Sequence, residues 1–194
     1  FANQVYEMAF IDLDNDGDKD ILFASPSSSH LAWFQNTGNA FEKLHVIAKG
    51  KYRHFVIADI NLDGAQDIIG IKEKTNREEG VVTTHLNNGE GLFVSKILND
   101  HEDGGIASGF SLHDLDNDGD LDVFASRNSQ YLSRDLSWYE NVGDGRFFKT
   151  EVLTEPSNDD GGGRYFGATE LADLNNDGIV DLITNNRTTN EVYW

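Results

Sequence analysis

Cysteine is absent from the 194-residue sequence, which excludes disulfide scaffolds, thiolate zinc sites and cysteine nucleophiles together. Hydrophobic runs are short, and none approaches the roughly 18 apolar residues of a membrane-spanning helix. Basic residues are scarce, because 15 Lys and Arg stand against 34 Asp and Glu, for a formal net charge of −19. We therefore expect no nucleic-acid partner and no membrane insertion. A hydrophobic content of 38% still favours a folded domain with a core.

An acidic decamer occurs four times along the chain. It reads DLDNDGDKDI from Asp12, DINLDGAQDI from Asp59, DLDNDGDLDV from Asp114 and DLNNDGIVDL from Asp173. The repeats are thus about 47 to 59 residues long, which suits propeller blades better than two-helix solenoid repeats. Segments rich in Val, Ile and Phe flank the decamers and predict two β-strands joined by an acidic turn.

A second signature follows the acidic decamer in three of the repeats. It reads LAWFQNTGNAF at 31–41, THLNNGEGLF at 84–93 and LSWYENVGDGRF at 136–147. Its Asn-x-Gly core predicts a tight hairpin between a third and a fourth strand. We therefore predict an all-β fold, a β-propeller built of four-stranded antiparallel blades. The predicted repeats cover 1–48, 49–103, 104–162 and 163–194, the last incomplete, and the glycine-rich stretches 100–105 and 158–164 are predicted to be inter-blade loops.

The acidic decamers have the residue pattern of a cation-binding loop. Calcium takes six to eight oxygen ligands, and a turn with oxygen side chains at positions 1, 3 and 5 and glycine at position 6 surrounds the ion from one side. The predicted side-chain ligands, at positions 1, 3, 5 and 9, are Asp12, Asp14, Asp16 and Asp20; Asp59, Asn61, Asp63 and Asp67; Asp114, Asp116, Asp118 and Asp122; and Asp173, Asn175, Asp177 and Asp181. Position 7 is predicted to contribute only its backbone carbonyl, from Asp18, Ala65, Asp120 and Ile179. The side chains of Asp18 and Asp120 are then expected to face solvent.

Two other interpretations of the decamers are weaker. An EF-hand requires a Glu at position 12 and flanking helices, whereas position 12 here is Phe, Gly, Ala or Thr and the flanks are strand-like. Solvated acidic turns would explain a single acidic loop better than four acidic loops at equivalent positions of the repeats. The loops hold 16 of the 34 acidic residues, so about one Ca²⁺ per repeat, up to four, would neutralise much of the charge.

The sequence resembles the FG-GAP and VCBS-type repeats of integrin α-subunit propellers and of many secreted bacterial and fungal proteins. The four D-x-[DN]-x-D-G-x-x-D loops carry the resemblance, together with AWFQNTG and SWYENVGDGRF. The resemblance implies calcium in the loop between the first two strands of each blade, and an extracellular or cell-surface setting. Such propellers usually have about seven blades, so the chain is expected to be a single four-bladed domain or a segment of a larger propeller.

Several residues outside the acidic decamers are weaker candidates for a binding site. His113 occupies an inner-strand position held by Ile or Ala in the other repeats. Basic and aromatic residues, which could bind a sugar or balance charge, precede the second and fourth inner strands: Lys49, Lys51, Tyr52, Arg53 and His54, and Arg164 and Tyr165. Trp33, Trp138 and Trp194 recur at similar positions and are predicted to pack rather than to stack on sugars.

The sequence contains no recognisable catalytic constellation, since G-x-S-x-G, H-E-x-x-H and phosphate-binding loop motifs are all missing. We therefore predict a non-catalytic, calcium-binding extracellular propeller for adhesion, surface architecture or assembly. Its expected partner is another protein or further copies of itself, as in a filament or surface lattice. The alternative is a lectin-like or polysaccharide-processing propeller with glycan ligands.

Overall fold

The computed structural model describes residues 5–25, 29–73, 81–98, 106–128, 133–156, 166–186 and 191–194. These ranges contain fifteen strands and no helix, and so no helix that could span a membrane. The strands are β1 (Glu7–Ile11), β2 (Asp20–Ser25), β3 (His30–Asn36), β4 (Phe41–Lys49), β5 (Tyr52–Ala58), β6 (Asp67–Lys72), β7 (Val81–Asn87), β8 (Phe93–Ile97), β9 (Ile106–His113), β10 (Asp122–Asn128), β11 (Ser133–Asn141), β12 (Phe147–Pro156), β13 (Phe166–Ala172), β14 (Asp181–Asn186) and β15 (Glu191–Tyr193). The predicted all-β class is confirmed.

The strands form four separate antiparallel sheets, each built from one continuous stretch of chain. Blade 1 has the order β1-β2-β3-β4, blade 2 β5-β6-β7-β8, blade 3 β9-β10-β11-β12, and blade 4 β13-β14-β15. These sheets are propeller-type blades, as the sequence predicts, with three strands described in the last one. The predicted inter-blade loops at 100–105 and 158–164 lie outside the described residues.

The four blades share one register relative to the acidic decamer. The aspartate at position 9 begins the second strand and pairs with the residue just before position 1, as Asp20 with Ile11, Asp67 with Ala58, Asp122 with His113, and Asp181 with Ala172. Two residues further along, the second strand faces the tryptophan position of the third strand, as Leu22 with Trp33 and Phe124 with Trp138. Residues can therefore be compared position by position between blades.

The described chain divides into two compact units, residues 1–100 and 101–194. In the first unit, blades 1 and 2 share one core. Blade 1 contributes Leu22, Leu31 and Trp33, which are at most 1% exposed, and blade 2 contributes Phe55 and Ile68. These side chains alternate along their strands, so one face of blade 1 packs against blade 2.

The second unit has a smaller core between blades 3 and 4. Phe124 and Leu136 of blade 3 are buried there with Leu171 of blade 4. Trp138, the equivalent of Trp33, is only partly buried and packs at the margin of this cluster. Each unit therefore holds two neighbouring blades joined by apolar packing.

Candidate metal centre

The acidic decamers form the connections between the first and second strands of all four blades. Loop 1 joins β1 to β2, loop 2 joins β5 to β6, loop 3 joins β9 to β10, and loop 4 joins β13 to β14. The expected position of these loops is thus confirmed. Each loop begins with the aspartate at position 1 immediately after the first strand and ends at the aspartate at position 9, the first residue of the second strand.

All four loops adopt the same backbone conformation. Position 4 lies in the left-handed region, with φ between 56° and 61° at Asn15, Leu62, Asn117 and Asn176. The glycine at position 6 also has positive φ, from 85° to 97°, a conformation that side chains other than glycine rarely adopt. These bends curl the chain back, and the position-6 amide donates a hydrogen bond to the position-1 carboxylate in every loop, as from Gly17 to Asp12 at 2.9 Å.

Loop 1 brings three carboxylates together. One oxygen from each of Asp12, Asp14 and Asp20 lies within 4.8 Å of the others. Oδ1 of Asp12 and Oδ1 of Asp14 are both buried and have no hydrogen-bond partner. A buried carboxylate oxygen without a partner carries a desolvation penalty of roughly 1–3 kcal/mol or more, which a cation would offset. The donor set is entirely oxygen, so loop 1 fits a hard cation such as Ca²⁺.

A chain of side chains from the neighbouring strands holds Asp14 in place. Gln35 on β3 donates its amide to Oδ2 of Asp14 at 2.6 Å, and its amide oxygen lies 3.3 Å from Nε2 of His45 on β4. The ring of His45 stacks on buried Trp33, with centroids 4.3 Å apart and an interplanar angle of 13°. Burial, and secondarily Lys43, lowers the pKa of His45, so its ring is neutral at pH 7. Asp14 is therefore oriented by blade 1 itself.

Loop 3 forms the second cluster, from a partly different set of positions. Here one oxygen each of Asp114, Asp116 and Asp118 lies within 4.8 Å of the others. Position 7 of this loop, Asp120, has a raised pKa because of partial burial and the repulsion of neighbouring carboxylates, Asp118 first among them. This crowding of like charge is the electrostatic setting that a bound divalent cation relieves.

Loops 2 and 4 differ because asparagine replaces aspartate at position 3. Nδ2 of Asn61 donates to Oδ2 of Asp63 at 2.8 Å, and Asn175 makes the same bond to Asp177 at 2.9 Å. The position-5 carboxylate is thereby paired with an amide. Among the described residues, these two loops form no cluster of three acidic side chains comparable to those of loops 1 and 3.

The aspartate at position 9 links the loop to the rest of its blade. In the first three blades its Oδ2 accepts from the amide at position 2, and its Oδ1 accepts from the amide of the asparagine in Asn-x-Gly. For Asp67 these donors are Ile60 at 3.0 Å and Asn87 at 2.7 Å. Burial raises the pKa of Asp20, Asp67 and Asp122, while the two backbone bonds lower it. The sequence predicts this residue only as a metal ligand. It does not reveal the hydrogen bond between this carboxylate and the Asn-x-Gly hairpin.

The side chains at position 7 do not simply face solvent as expected. Asp18 and Asp120 are partly buried, and Oδ2 of Asp18 comes within 2.9 Å of the place where a Cβ on Gly38 would lie. Asp18 thus packs against the Asn-x-Gly turn of its own blade. The position-7 amide donates to the position-5 carboxylate in every loop. The position-7 backbone carbonyl remains a predicted ligand.

A family model described as the FG-GAP-like repeat matches three overlapping stretches, residues 12–70, 59–125 and 114–184. The chain belongs to the FG-GAP-like repeat family. Every match starts at the first aspartate of one loop and ends three residues after the last aspartate of the next loop. A search among curated proteins finds no match. The family assignment therefore rests on the loop-to-loop repeat of this FG-GAP chain.

Two of the basic residues near the start of β5 in this FG-GAP chain contact acidic neighbours. Arg53 forms an ion pair with Glu73 at 2.6 Å, and His54 contacts Glu7 at 3.0 Å. Tyr52 is buried in the core. These contacts favour charge balance over sugar binding at Arg53 and His54. Arg164 and Tyr165 lie outside the described residues.

The remaining candidates lie in different surroundings. His113 is half-buried at the end of β9, opposite Asp122. Trp33 is buried between blades 1 and 2, whereas Trp194 is 81% exposed. The three tryptophans therefore share a position in the repeat without sharing the same burial.

Proposed function

We propose that this protein binds calcium through its acidic loops and that the ion stabilises the fold. The observation that carries the proposal is the pair of buried, unpartnered oxygens on Asp12 and Asp14, beside the carboxylate of Asp20. Three carboxylates in an oxygen-only site fit Ca²⁺, which tolerates a flexible coordination shell better than Mg²⁺ does. Because the loop forms only in the folded chain, calcium binding stabilises the native state.

The loops are proposed to form two classes of site. Loops 1 and 3 contain clusters of three carboxylates, whereas loops 2 and 4 have an asparagine that pairs with the position-5 aspartate. Calcium affinity rises with the number of charged ligands. Loops 1 and 3 are therefore expected to fill first, followed by loops 2 and 4 at higher calcium concentration.

The calcium proposal is tested by thermal unfolding in Ca²⁺, in Mg²⁺ and in EGTA. The midpoint is expected to rise with Ca²⁺ and to change less with Mg²⁺ at the same concentration. Asp14→Asn should reduce the calcium-dependent rise, while the control Glu191→Gln, at an exposed position of β15 away from loop 4, should leave it intact. A midpoint that is the same in Ca²⁺ and EGTA would refute the proposal.

We infer that the protein is a non-catalytic extracellular module for adhesion, surface structure or assembly. Membership in the FG-GAP-like repeat family supports a repeat module of this kind. Calcium sites of moderate affinity suit the extracellular space, where modules bind the ion in the roughly 0.1–1 mM range. Localisation of the tagged native protein by surface labelling of intact cells tests this setting, and an exclusively internal protein would contradict it.

The partner proposed for assembly is a second copy of the chain, docked on the outer face of blade 1. Met8, Phe10, Leu44 and Val46 on this face are about half exposed. Met8, Leu44 and Val46 also line a cavity of about 770 Å³. Phe55 in blade 2 occupies the same register position as Met8 in blade 1. Phe55 packs against blade 1. The outer face of blade 1 therefore suits another blade of this family. Sedimentation equilibrium tests the proposal, since Phe10→Ser should weaken association and a monomer at all concentrations would contradict it.

A further inference from the structure

A small cavity of about 200 Å³ lies between blades 1 and 2, near the end of blade 2 that is opposite loop 2. Loop 2 joins the end of β5 to the start of β6, whereas the cavity contacts Tyr52 at the start of β5 and Lys72 at the end of β6. The cavity extends along the strands to His85, which pairs with Ile68, but its lining includes no residue of loop 2. At about 30 Å³ per water it has room for one small ligand.

The cavity is positively charged in a protein that is otherwise strongly acidic. Lys49, Lys72 and Lys96 line it from three different strands. Its lining, all within the described residues, includes no Asp or Glu, although the chain holds 34 of them. Cations that converge on a cleft raise the local concentration of anions. The cavity therefore favours a ligand with a negative group.

Hydroxyl groups and a histidine form the inner wall of the cavity. Oγ1 of Thr83 lies 3.0 Å from Nε2 of His85, and Oγ of Ser95 lies 2.6 Å from Nδ1 of the same ring. His85 is fully buried, and burial lowers its pKa to about 4, so the ring is neutral at pH 7. The wall thus offers several polar atoms in fixed positions beside the lysines.

The polar wall is a feature of blade 2 and not a requirement of the fold. The same register positions in blade 1 hold Ala32, Phe34 and Leu44 where blade 2 holds Thr83, His85 and Ser95. A blade can therefore be built with apolar side chains at these three positions. Thr83, His85 and Ser95 pair with one another, which offsets the cost of burying polar groups and holds them in fixed positions beside the lysines.

We propose that this cavity binds a small hydroxyl-bearing carboxylate, the chemistry of an acidic monosaccharide such as a uronic acid. The lysines attract the carboxylate, and charge-assisted hydrogen bonds of this kind are about twice as strong as neutral ones. The polar wall around Ser95 and Thr83 pairs with the sugar hydroxyls. None of its lining residues belongs to an acidic loop, so the ligand site is distinct from the candidate metal centre.

Titration of the isotopically labelled protein with sodium glucuronate, followed by NMR, tests this proposal. The amide signals of residues 81–85 and 95–97 are expected to shift in a saturable way, whereas uncharged glucose should leave them in place. Free Ca²⁺ is held constant in all titrations, since glucuronate itself binds the ion. Absence of saturable shifts with glucuronate, or equal binding of glucose, would overturn the proposal.

Two lysine variants separate the cavity from general attraction to basic residues. Lys96→Gln removes an exposed cation that lines the cavity and should weaken glucuronate binding roughly tenfold. Lys51→Gln makes the same charge change at an exposed residue outside the lining and should leave the affinity unchanged. An equal loss in both variants would overturn the proposal. Saturable binding of sulfate that Lys96→Gln weakens would support the anion-binding role of the lysines.

Discussion

The side-chain amide of Asn87 donates a buried hydrogen bond to the backbone carbonyl of Leu13, 74 residues earlier in the chain, at 2.8 Å. Leu13 lies in loop 1 of blade 1, and Asn87 begins the Asn-x-Gly turn of blade 2. A second contact runs alongside, from Nδ2 of Asn15 to the carbonyl of Gly89 at 3.2 Å. The acidic loop of one blade is thus attached to the hairpin of the next, so order in loop 1 and packing between blades 1 and 2 depend on each other.

Replacing Asn87 with Ala should destabilise the protein by about 2–3 kcal/mol. The variant loses the bond to Leu13 and a second one, at 3.2 Å, to the carbonyl of Gln66, and it leaves the Leu13 carbonyl buried and unpaired. Asn36→Ala is the matched control, because the Asn36 amide bonds only within its own blade, to the exposed Lys19 carbonyl. Chemical denaturation in saturating calcium measures both. Equal losses would show that the contact between blades adds nothing.

Gly91→Ala should be strongly destabilising because of Trp33. A Cβ at position 91 would lie 2.5 Å from Cζ2 of the Trp33 ring, which is locked in the core, and φ there is +71°. Gly143→Ala isolates the cost of positive φ, since a Cβ there would meet its nearest atom at 3.7 Å. The control should lose roughly 1 kcal/mol, and Gly91→Ala distinctly more. Thermal unfolding of the two variants is the measurement, and similar midpoints would contradict the predicted clash.

Stability should decrease on acidification because His85 is buried in neutral form. Desolvation lowers its pKa from 6.5 to about 4 in the folded state, so the unfolded chain binds the extra proton between these values. Neutral His85 contributes fully to the free energy of unfolding above pH 6.5. As the pH falls, the free energy of unfolding decreases by about 2 kcal/mol at pH 5 and by about 3 kcal/mol below pH 4.

The matched variant for this pH effect is His85→Phe, which copies Phe34 of blade 1. The free energy of unfolding of both proteins is measured from pH 8 to pH 4.5, at fixed calcium. Carboxylates titrate equally in both proteins, so the difference between the curves isolates the histidine. Parallel curves would mean that His85 keeps an ordinary pKa.

Asp67→Asn should destabilise blade 2 even without calcium. The buried carboxylate accepts from two backbone amides, those of Ile60 and Asn87, and a carboxamide can accept both only through its single oxygen. The expected loss is about 2–4 kcal/mol. Asp63→Asn, at an exposed position of the same loop, should lose stability mainly in calcium. Unfolding curves with Ca²⁺ and with EGTA distinguish them, and identical calcium dependence of the two variants would contradict the structural role of Asp67.

Local features of the fold follow from the sequence. The alternating apolar segments, the glycine at position 6 and the Asn-x-Gly turns each act within a few residues, so the strands, the acidic loops and their place in each blade were predictable. The oxygen side chains at positions 1, 3 and 5 are predictable for the same reason, because their spacing is set by one short turn.

Contacts between distant segments were not predictable, since they depend on which surfaces meet. The sequence predicts the Asn-x-Gly asparagine as a turn residue, and only the folded chain places its amide on the neighbouring loop, as Asn87 on Leu13. The sequence shows Arg53 and His54 as part of a basic cluster, and only the structure pairs them with Glu73 and Glu7. The cavity at Lys96 likewise requires strands from two blades.

The sequence alone therefore determined the repeated β-blade and its acidic loop, because strand alternation and turn chemistry are local. The tertiary structure decided how each aspartate is used. Packing buries unpartnered oxygens of Asp12 and Asp14, while it commits both oxygens of Asp67 to backbone amides. Burial and long-range hydrogen bonds thus divide one repeated motif into carboxylates that are open to a cation and carboxylates that are paired with the backbone.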